Sequence, residues 1–491
     1  MKRLIVIIFI IFGAFLTFSL YRTFAYDTSV VEETPSTTDL EYTFKIGNSS
    51  IKQITVDSGE TKYYDVVLGN PNPAKISYSI YYEMVSPSTK PDSFSIGYTS
   101  KSTGDSTGKV DKEGNITLNI EVTNTSDSAV TVKLGSLAGY VNGGELILDS
   151  GQVVIPKKVT ASEYIMNLDD GNSGDSGSGV YKVSHDAIPA DSSATGSEIK
   201  ANDDYRFYGA SPNNYICLDM EGGSTCPDKH LYRIIGSIYE ELEGTNRLKV
   251  IKATPLPDGT TSGFSWDYTS SGSYSNIWAT ITSTSGNYSN SLSSGSQLMK
   301  LLNSGLWWNG TSGSYYNKSI TATTVNFTNY KLSDKAKSYI STSRYYLGGY
   351  NNNPPLTNDM YGYERGTLRY DTSRPLYWDG MVGLIYPSDY GYAAGSTCVT
   401  GTDLFTYDGG CKNKDWLWMT NSSDYTNSHE WLMSPLSDNS VRSFFVDSPG
   451  YVGTYYGVGY TYSVRPVFYL TSTTSITSGT GTESDPYLIS K

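Results

Sequence analysis

The chain is poor in charge, in histidine and in the short strings that mark common enzymes. Only 17% of its 491 residues are Asp, Glu, Lys or Arg, and acid outweighs base, giving a net charge of −13 at pH 7. Such a surface repels a phosphate backbone, so nucleic acid is excluded as a partner. Three histidines, His185, His230 and His429, are too few for a histidine-rich metal centre. No HExxH, GxSxG or P-loop string occurs, and no GxGxxG sits between a strand and a helix. The sequence therefore names no catalytic residue, no metal ligand and no cofactor. Adjacent carboxylates occur at Asp169-Asp170 and Asp203-Asp204. A glycosidase pair is defined by separation in space, so adjacency alone does not make one.

Long apolar runs are equally scarce. Lys2 and Arg3 precede one of them, LIVIIFIIFGAFLTFSL from Leu4 to Leu20, and no second run of that length follows. A short basic region before such a run is an export signal. Its 17 residues are near the lower limit for a spanning helix. Residues 1–26 read as a signal peptide, with Thr23-Phe24-Ala25 at a cleavage site, or as an N-terminal membrane anchor. The basic flank puts the remainder outside in both cases. The protein is expected at the cell surface or released, with the membrane as a partner if the segment is retained.

Cysteine is sparse and spaced for local pairing. Cys217 and Cys226 bracket LDMEGGST, and Cys398 and Cys411 bracket VTGTDLFTYDGG. Both loops are polar and contain glycine, so each can fold back on itself. Four cysteines allow three pairings. We expect Cys217 with Cys226 and Cys398 with Cys411, each closure contributing on the order of 3 kcal/mol. The CxxC spacing of a zinc site is absent.

Ser, Thr, Asn, Gly and Tyr fill the space left by charge. There are 43 tyrosines against 14 phenylalanines and 8 tryptophans. Tyrosine with small polar residues is the palette of extracellular binding surfaces. It also suits half-buried strands.

Along the chain, residues 27–40 form a polar leader. Alternation then dominates residues 41–160: Ile76, Tyr78, Ile80, Tyr82 and Met84; Ile116, Leu118, Ile120 and Val122; Val130, Val132 and Leu134. Short period-two runs broken by Asn-Pro and Gly turns predict an immunoglobulin-like β-sandwich. Residues 161–202 contain DDGNSGDSGSG at 169–179 and read as a flexible linker. The Gly174-Asp175-Ser176-Gly177 string lies in that tract and is read as linker, not as a nucleophile site. Residues 203–491 form a mixed α+β domain. Its strands are expected at Leu231–Tyr239, Leu248–Ala253 and Val464–Leu470, and its helices at Ser291–Leu302 and Leu332–Ile340.

Trp431-Leu432-Met433-Ser434-Pro435, followed by Tyr462-Ser463-Val464-Arg465-Pro466-Val467, resembles the end of bacterial surface domains with a C-type-lectin-like fold. There a WxxS motif precedes a loop and a GVRP strand closes the domain. The closing Gly is Ser463 here. Tyr205-Arg206-Phe207 through Pro212-Asn213-Asn214-Tyr215 looks like the start of such domains. Relatives of that fold include formylglycine-generating enzymes, whose reactive cysteine pair has no counterpart here. They also include the variable proteins of diversity-generating retroelements, which bind ligands through a C-terminal patch. The EPN, QPD and WND sugar-site strings of animal C-type lectins are absent.

The resemblance implies a ligand-binding patch within Ser437–Tyr462. Its candidates are Asp438, Asn439, Arg442, Tyr451, Tyr455, Tyr456, Tyr460 and Tyr462. The tyrosines would stack on a sugar ring or anchor a protein, with Asp438 and Arg442 as polar partners. Phe444, Phe445, Trp416, Trp418 and Trp431 are read as core. The whole reads as an exported, adhesin-like protein that binds an extracellular protein or glycan without catalysis. A surface-layer or fibre subunit and a secreted glycan-active enzyme are the alternatives.

Overall fold

Alternation becomes a pair of packed sheets in residues 43–158. The computed structural model describes residues 43–46, 53–100, 108–141, 146–171, 174, 176–257, 263–280, 295–353, 355–407, 409–418 and 429–491. The export segment, the polar leader and the first four residues of the Ser291–Leu302 helix lie outside the described residues. The chain divides into two units, residues 1–158 and 159–491.

In the first unit, one sheet has four antiparallel strands in the order Thr43–Ile46, Glu60–Gly69, Asn115–Asn124, Phe94–Ser100. The other is built on Ile76–Ser86, which pairs with Val130–Tyr140, Lys109–Val110 and Gln152–Val154, with Gln53–Val56 on the far side of Val130–Tyr140. Strand Asn115–Asn124 buries every second residue, Ile116 to Val122, because successive side chains point to opposite faces. Those residues meet Val66, Leu68, Ile76, Ile80, Val130 and Val132 in one core shared by both sheets. The unit is an all-β two-sheet sandwich, as the alternation predicts. Asn70 makes its Asn-Pro turn rigid by donating to the carbonyls of Ala74 (2.8 Å) and Asp111 (3.0 Å).

The second unit mixes a nine-stranded sheet with short helices around one large core, with a small separate cluster of Tyr361, Tyr392 and Val399. Strands Leu231–Glu240 and Thr245–Lys252 form its central hairpin. Their residues are buried almost throughout, because both faces of this sheet are covered. Val467–Leu470 pairs along Thr245–Lys252, and Tyr215–Cys217 along Leu231–Glu240. Helices form at Gln297–Asn303, which overlaps the end of the first expected segment and runs one residue past it, and at Asp334–Ser338, inside the second. Ser333 caps the second by accepting from the Ala336 N–H at 3.0 Å, leaving one fewer orphan donor at its start.

Residues 161–202 are not a linker, and this corrects the expected domain boundary. Thr160 and Glu163 form a capping box, which starts the helix Ala161–Met166. Strand Gly179–His185 pairs along its whole length with Asn202–Tyr208. Ile165, Val180, Ala194 and Ile199 are all in the core of the second unit. Within the Gly/Ser/Asp tract that suggests a linker, the Gly174 carbonyl accepts from the Ser396 N–H at 3.1 Å and the Ser176 carbonyl from the Tyr208 hydroxyl at 3.0 Å.

A buried ionic chain joins the strands to the helix Pro387–Tyr392. Asp204 accepts from Arg206 Nη2 at 2.7 Å, from the His185 imidazole at 2.9 Å and from the Tyr239 N–H at 2.9 Å. Arg206 reaches on to Asp389 at 2.9 Å, and Lys249 meets the same carboxylate at 2.5 Å. Burial works to raise the pKa of Asp204, but Arg206 and His185 outweigh it and hold the carboxyl below its usual range. Breaking one member would strand a buried charge, at about 3–5 kcal/mol.

Candidate ligand-binding groove

Both expected disulfides form, Cys217–Cys226 and Cys398–Cys411. The second closes a loop that carries Phe405 and Thr406. These two residues face Asp447, Tyr451, Val452, Gly453 and Tyr455 across an open concavity of about 400 Å³. The far wall is built by a three-stranded sheet, Glu430–Pro435, Ser443–Val446 and Val452–Gly453. Phe444, Phe445 and Trp431 are buried beneath it, as expected of core residues. Arg465 locks this sheet to the unit, donating twice to Glu430 at 2.7 Å and once to the Leu417 carbonyl at 2.8 Å.

Asp447 organises the turn at the groove. Its Oδ1 accepts from the Tyr451 N–H at 2.9 Å and its Oδ2 from the Tyr455 hydroxyl at 2.9 Å. Burial, and then this bond to a carboxylate, raise the Tyr455 hydroxyl well above its usual pKa, so it stays a proton donor. Tyr455 packs edge-on against Phe445 at 5.0 Å and against Tyr456 at 4.6 Å. Tyr456 meets Tyr460 at 4.9 Å, and the Lys318 ammonium sits 3.7 Å from the Tyr460 ring centre. The run Tyr455, Tyr456, Tyr460 is thus a continuous aromatic ridge, and its members remain 45%, 38% and 38% exposed.

The predicted site residues separate into three groups. Tyr451 and Tyr455 line the groove, and Tyr456 and Tyr460 continue the ridge beside it. Tyr462 is a correction: only 4% of it is exposed, and it packs against Trp431 at 4.3 Å and His429 at 4.8 Å beneath the ridge. Alternation along its strand turns it inward, where it supports the platform. Asp438, Asn439 and Arg442 lie in the loop before Ser443 and do not line the groove. Asn276 holds that loop by donating to the carbonyls of Asn439 (2.8 Å) and Arg442 (2.7 Å), and Asn439 Oδ1 accepts from the Val441 N–H at 2.9 Å. The sequence reading missed Phe405, Thr406 and Asp447. The disulfide spacing was the signal for the first two, since it marks a loop presented as a unit.

Among the described residues no cluster of His, Cys, Asp or Glu is placed to hold a metal ion, and no helix is long and apolar enough to cross a membrane. No protein-family model and no curated protein matches the chain. Among solved structures, the ASH / PapD-like domain of human CEP192 (PapD-like domain 7) is similar at 14% identity. It covers 24% of this chain and 96% of that one, with a TM-score of 0.14. A score so low carries no argument, and the sandwich rests on its own strand pairing.

Proposed function

We propose that this chain is an exported cell-surface protein, adhesin-like, that binds an extracellular glycan through its C-terminal unit without chemical change to the ligand. The observation that carries the reading is the groove beside the tyrosine ridge. Exposed rings offer flat apolar faces to sugar rings, and Asp447 offers a carboxylate already fixed by two donors. A concavity of about 400 Å³ is in the range of small-ligand sites. Among the described residues Asp447 is the one carboxylate lining it, whereas glycoside hydrolysis ordinarily uses two. The two disulfides suit an oxidising compartment and so support export. On this reading the first unit is an immunoglobulin-like stalk and the second a C-type-lectin-like head. The test is a glycan array probed with the full chain and with Tyr455→Ala/Tyr456→Ala. Selective binding lost in the folded double variant supports the proposal. Equal binding by both overturns the site.

A surface-layer or fibre subunit is the second reading. Val153 and Val154, on the edge strand Gln152–Val154 of the first unit, are about half exposed. An apolar edge strand is a template for pairing with another chain. Sedimentation of the full chain over a concentration series separates the two readings, since only the fibre subunit polymerises.

A further inference from the structure

A second concavity in the C-terminal unit shares no residue with the groove. It is lined by Trp278, Arg369, Tyr370, Arg374, Pro375 and Leu436 among others, and holds about 20 Å³. That volume admits one water-sized group. The charged residues lining it are two arginines, on a chain whose net charge is −13. Neither arginine is ion-paired among the described residues. Arg369 donates to the Arg374 carbonyl at 2.9 Å, and Arg374 to Ser275 Oγ at 3.0 Å and to the Ser440 carbonyl at 3.4 Å. Asp371 and Asp267 act on Arg374 only through space.

Two lining residues each carry an unsatisfied buried donor. Arg374 Nε is buried with no partner, and so is the indole N–H of Trp278, a residue only 2% exposed. Buried N–H groups are costly to leave unpaired. A pocket lined by two arginines that no carboxylate pairs, with room for one oxygen, is complementary to a carboxylate. Guanidinium groups recognise that group by charge-assisted hydrogen bonds. The Tyr370 ring stands exposed at the rim, with the Arg374 guanidinium 5.8 Å from its centre. An exposed ring beside a carboxylate site suits a ligand that carries its acid on a flat apolar face, as an acidic sugar does.

We propose that the Arg369–Arg374 pocket is a binding site for the carboxylate of an acidic sugar, separate from the tyrosine groove. The probe is methyl glucuronoside, titrated into the full chain with its disulfides intact. Its methyl ester and methyl glucoside are the neutral controls, and N-acetyl-Gly-Ala is the peptide carboxylate. The glucuronoside should bind at least tenfold more tightly than its ester, which removes the charge without touching the protein. Arg369→Gln should weaken it at least tenfold with the melting temperature unchanged. Equal binding of acid and ester overturns the proposal, as does full affinity in Arg369→Gln. Tighter binding of the peptide would assign the pocket to a chain terminus and overturn the sugar. No saturable binding by any of them would leave a water pocket and nothing more.

Discussion

The Tyr455 hydroxyl donates to the Asp447 carboxylate at 2.9 Å, tying the tip of the aromatic ridge to the turn that opens the groove. The bond fixes a ring that would otherwise rotate, so the groove is shaped before any ligand arrives. Tyr455→Phe keeps the ring and removes the bond. Tyr455→Ala removes both. An intramolecular bond of this kind is worth about 0.5–1.5 kcal/mol, somewhat more with a charged partner. A lost aromatic contact costs about as much again. Ligand affinity should therefore fall by a few-fold in Tyr455→Phe and by tenfold or more in Tyr455→Ala, read by titration calorimetry with an array hit. Equal affinities would remove Tyr455 from the site.

The two disulfides should behave differently. Either should stabilise the protein by about 3 kcal/mol through loop closure. Only Cys398–Cys411 holds the loop bearing Phe405 and Thr406 against the groove. Cys398→Ser/Cys411→Ser should lower both the melting temperature and ligand affinity. Cys217→Ser/Cys226→Ser should lower the melting temperature alone. Thermal melts and binding isotherms on the two variants check this, and parallel losses of affinity would refute it.

The pH dependence of stability has two opposed sources. Burial lowers the pKa of His185, outweighing its bond to Asp204, and burial also lowers His230 and His429. As pH falls below about 6.5 the unfolded chain takes up protons on these residues that the folded chain refuses. Their stabilisation is therefore present above that pH and lost with acid, at up to about 1.4 kcal/mol per pH unit for each. Glu364 has the other sign. Burial outweighs its bonds from Ser388 and pushes its carboxyl up to about 7. Its contribution is present below the usual carboxylate range and lost as pH rises to about 7. Denaturant melts between pH 5 and 7 should show a shallower gain of stability with pH in His185→Gln and a steeper one in Glu364→Gln. The same slope in both variants would contradict the assignment.

What the sequence disclosed depended on how local the signal was. Alternation at Ile116–Val122 names a strand and its buried face without any distant residue. The two disulfides were legible because each closes within one loop. Phe444 and Phe445 read as core, and Tyr455, Tyr456 and Tyr460 as members of the binding patch. Three things were not legible. Asp447 joins Phe405 only through the fold, since neither residue marks the other in sequence. Tyr462 turns inward because its two-residue strand pairs with Phe264 and Ser265, far away in the chain. The ionic chain Asp204–Arg206–Asp389–Lys249 links three elements and has no local pattern at all.

The misread linker yields the last prediction. A fragment beginning at residue 201 would lack the helix Ala161–Met166 and the strand Gly179–His185, which is paired over all seven residues with Asn202–Tyr208. It would also lose Ile165, Val180 and Ile199 from the core, where each is under 5% exposed. Burying a side chain of that size contributes about 1.5–3 kcal/mol. Three of them together rival the whole net stability of an ordinary domain, about 5–15 kcal/mol. The cut would further remove His185 from the buried Asp204 carboxylate. Residues 159–491 should therefore melt cooperatively and resist protease, while residues 201–491 should show neither a sharp transition nor a protected core. A cooperative melt from the shorter fragment would return residues 161–200 to the status of a dispensable segment.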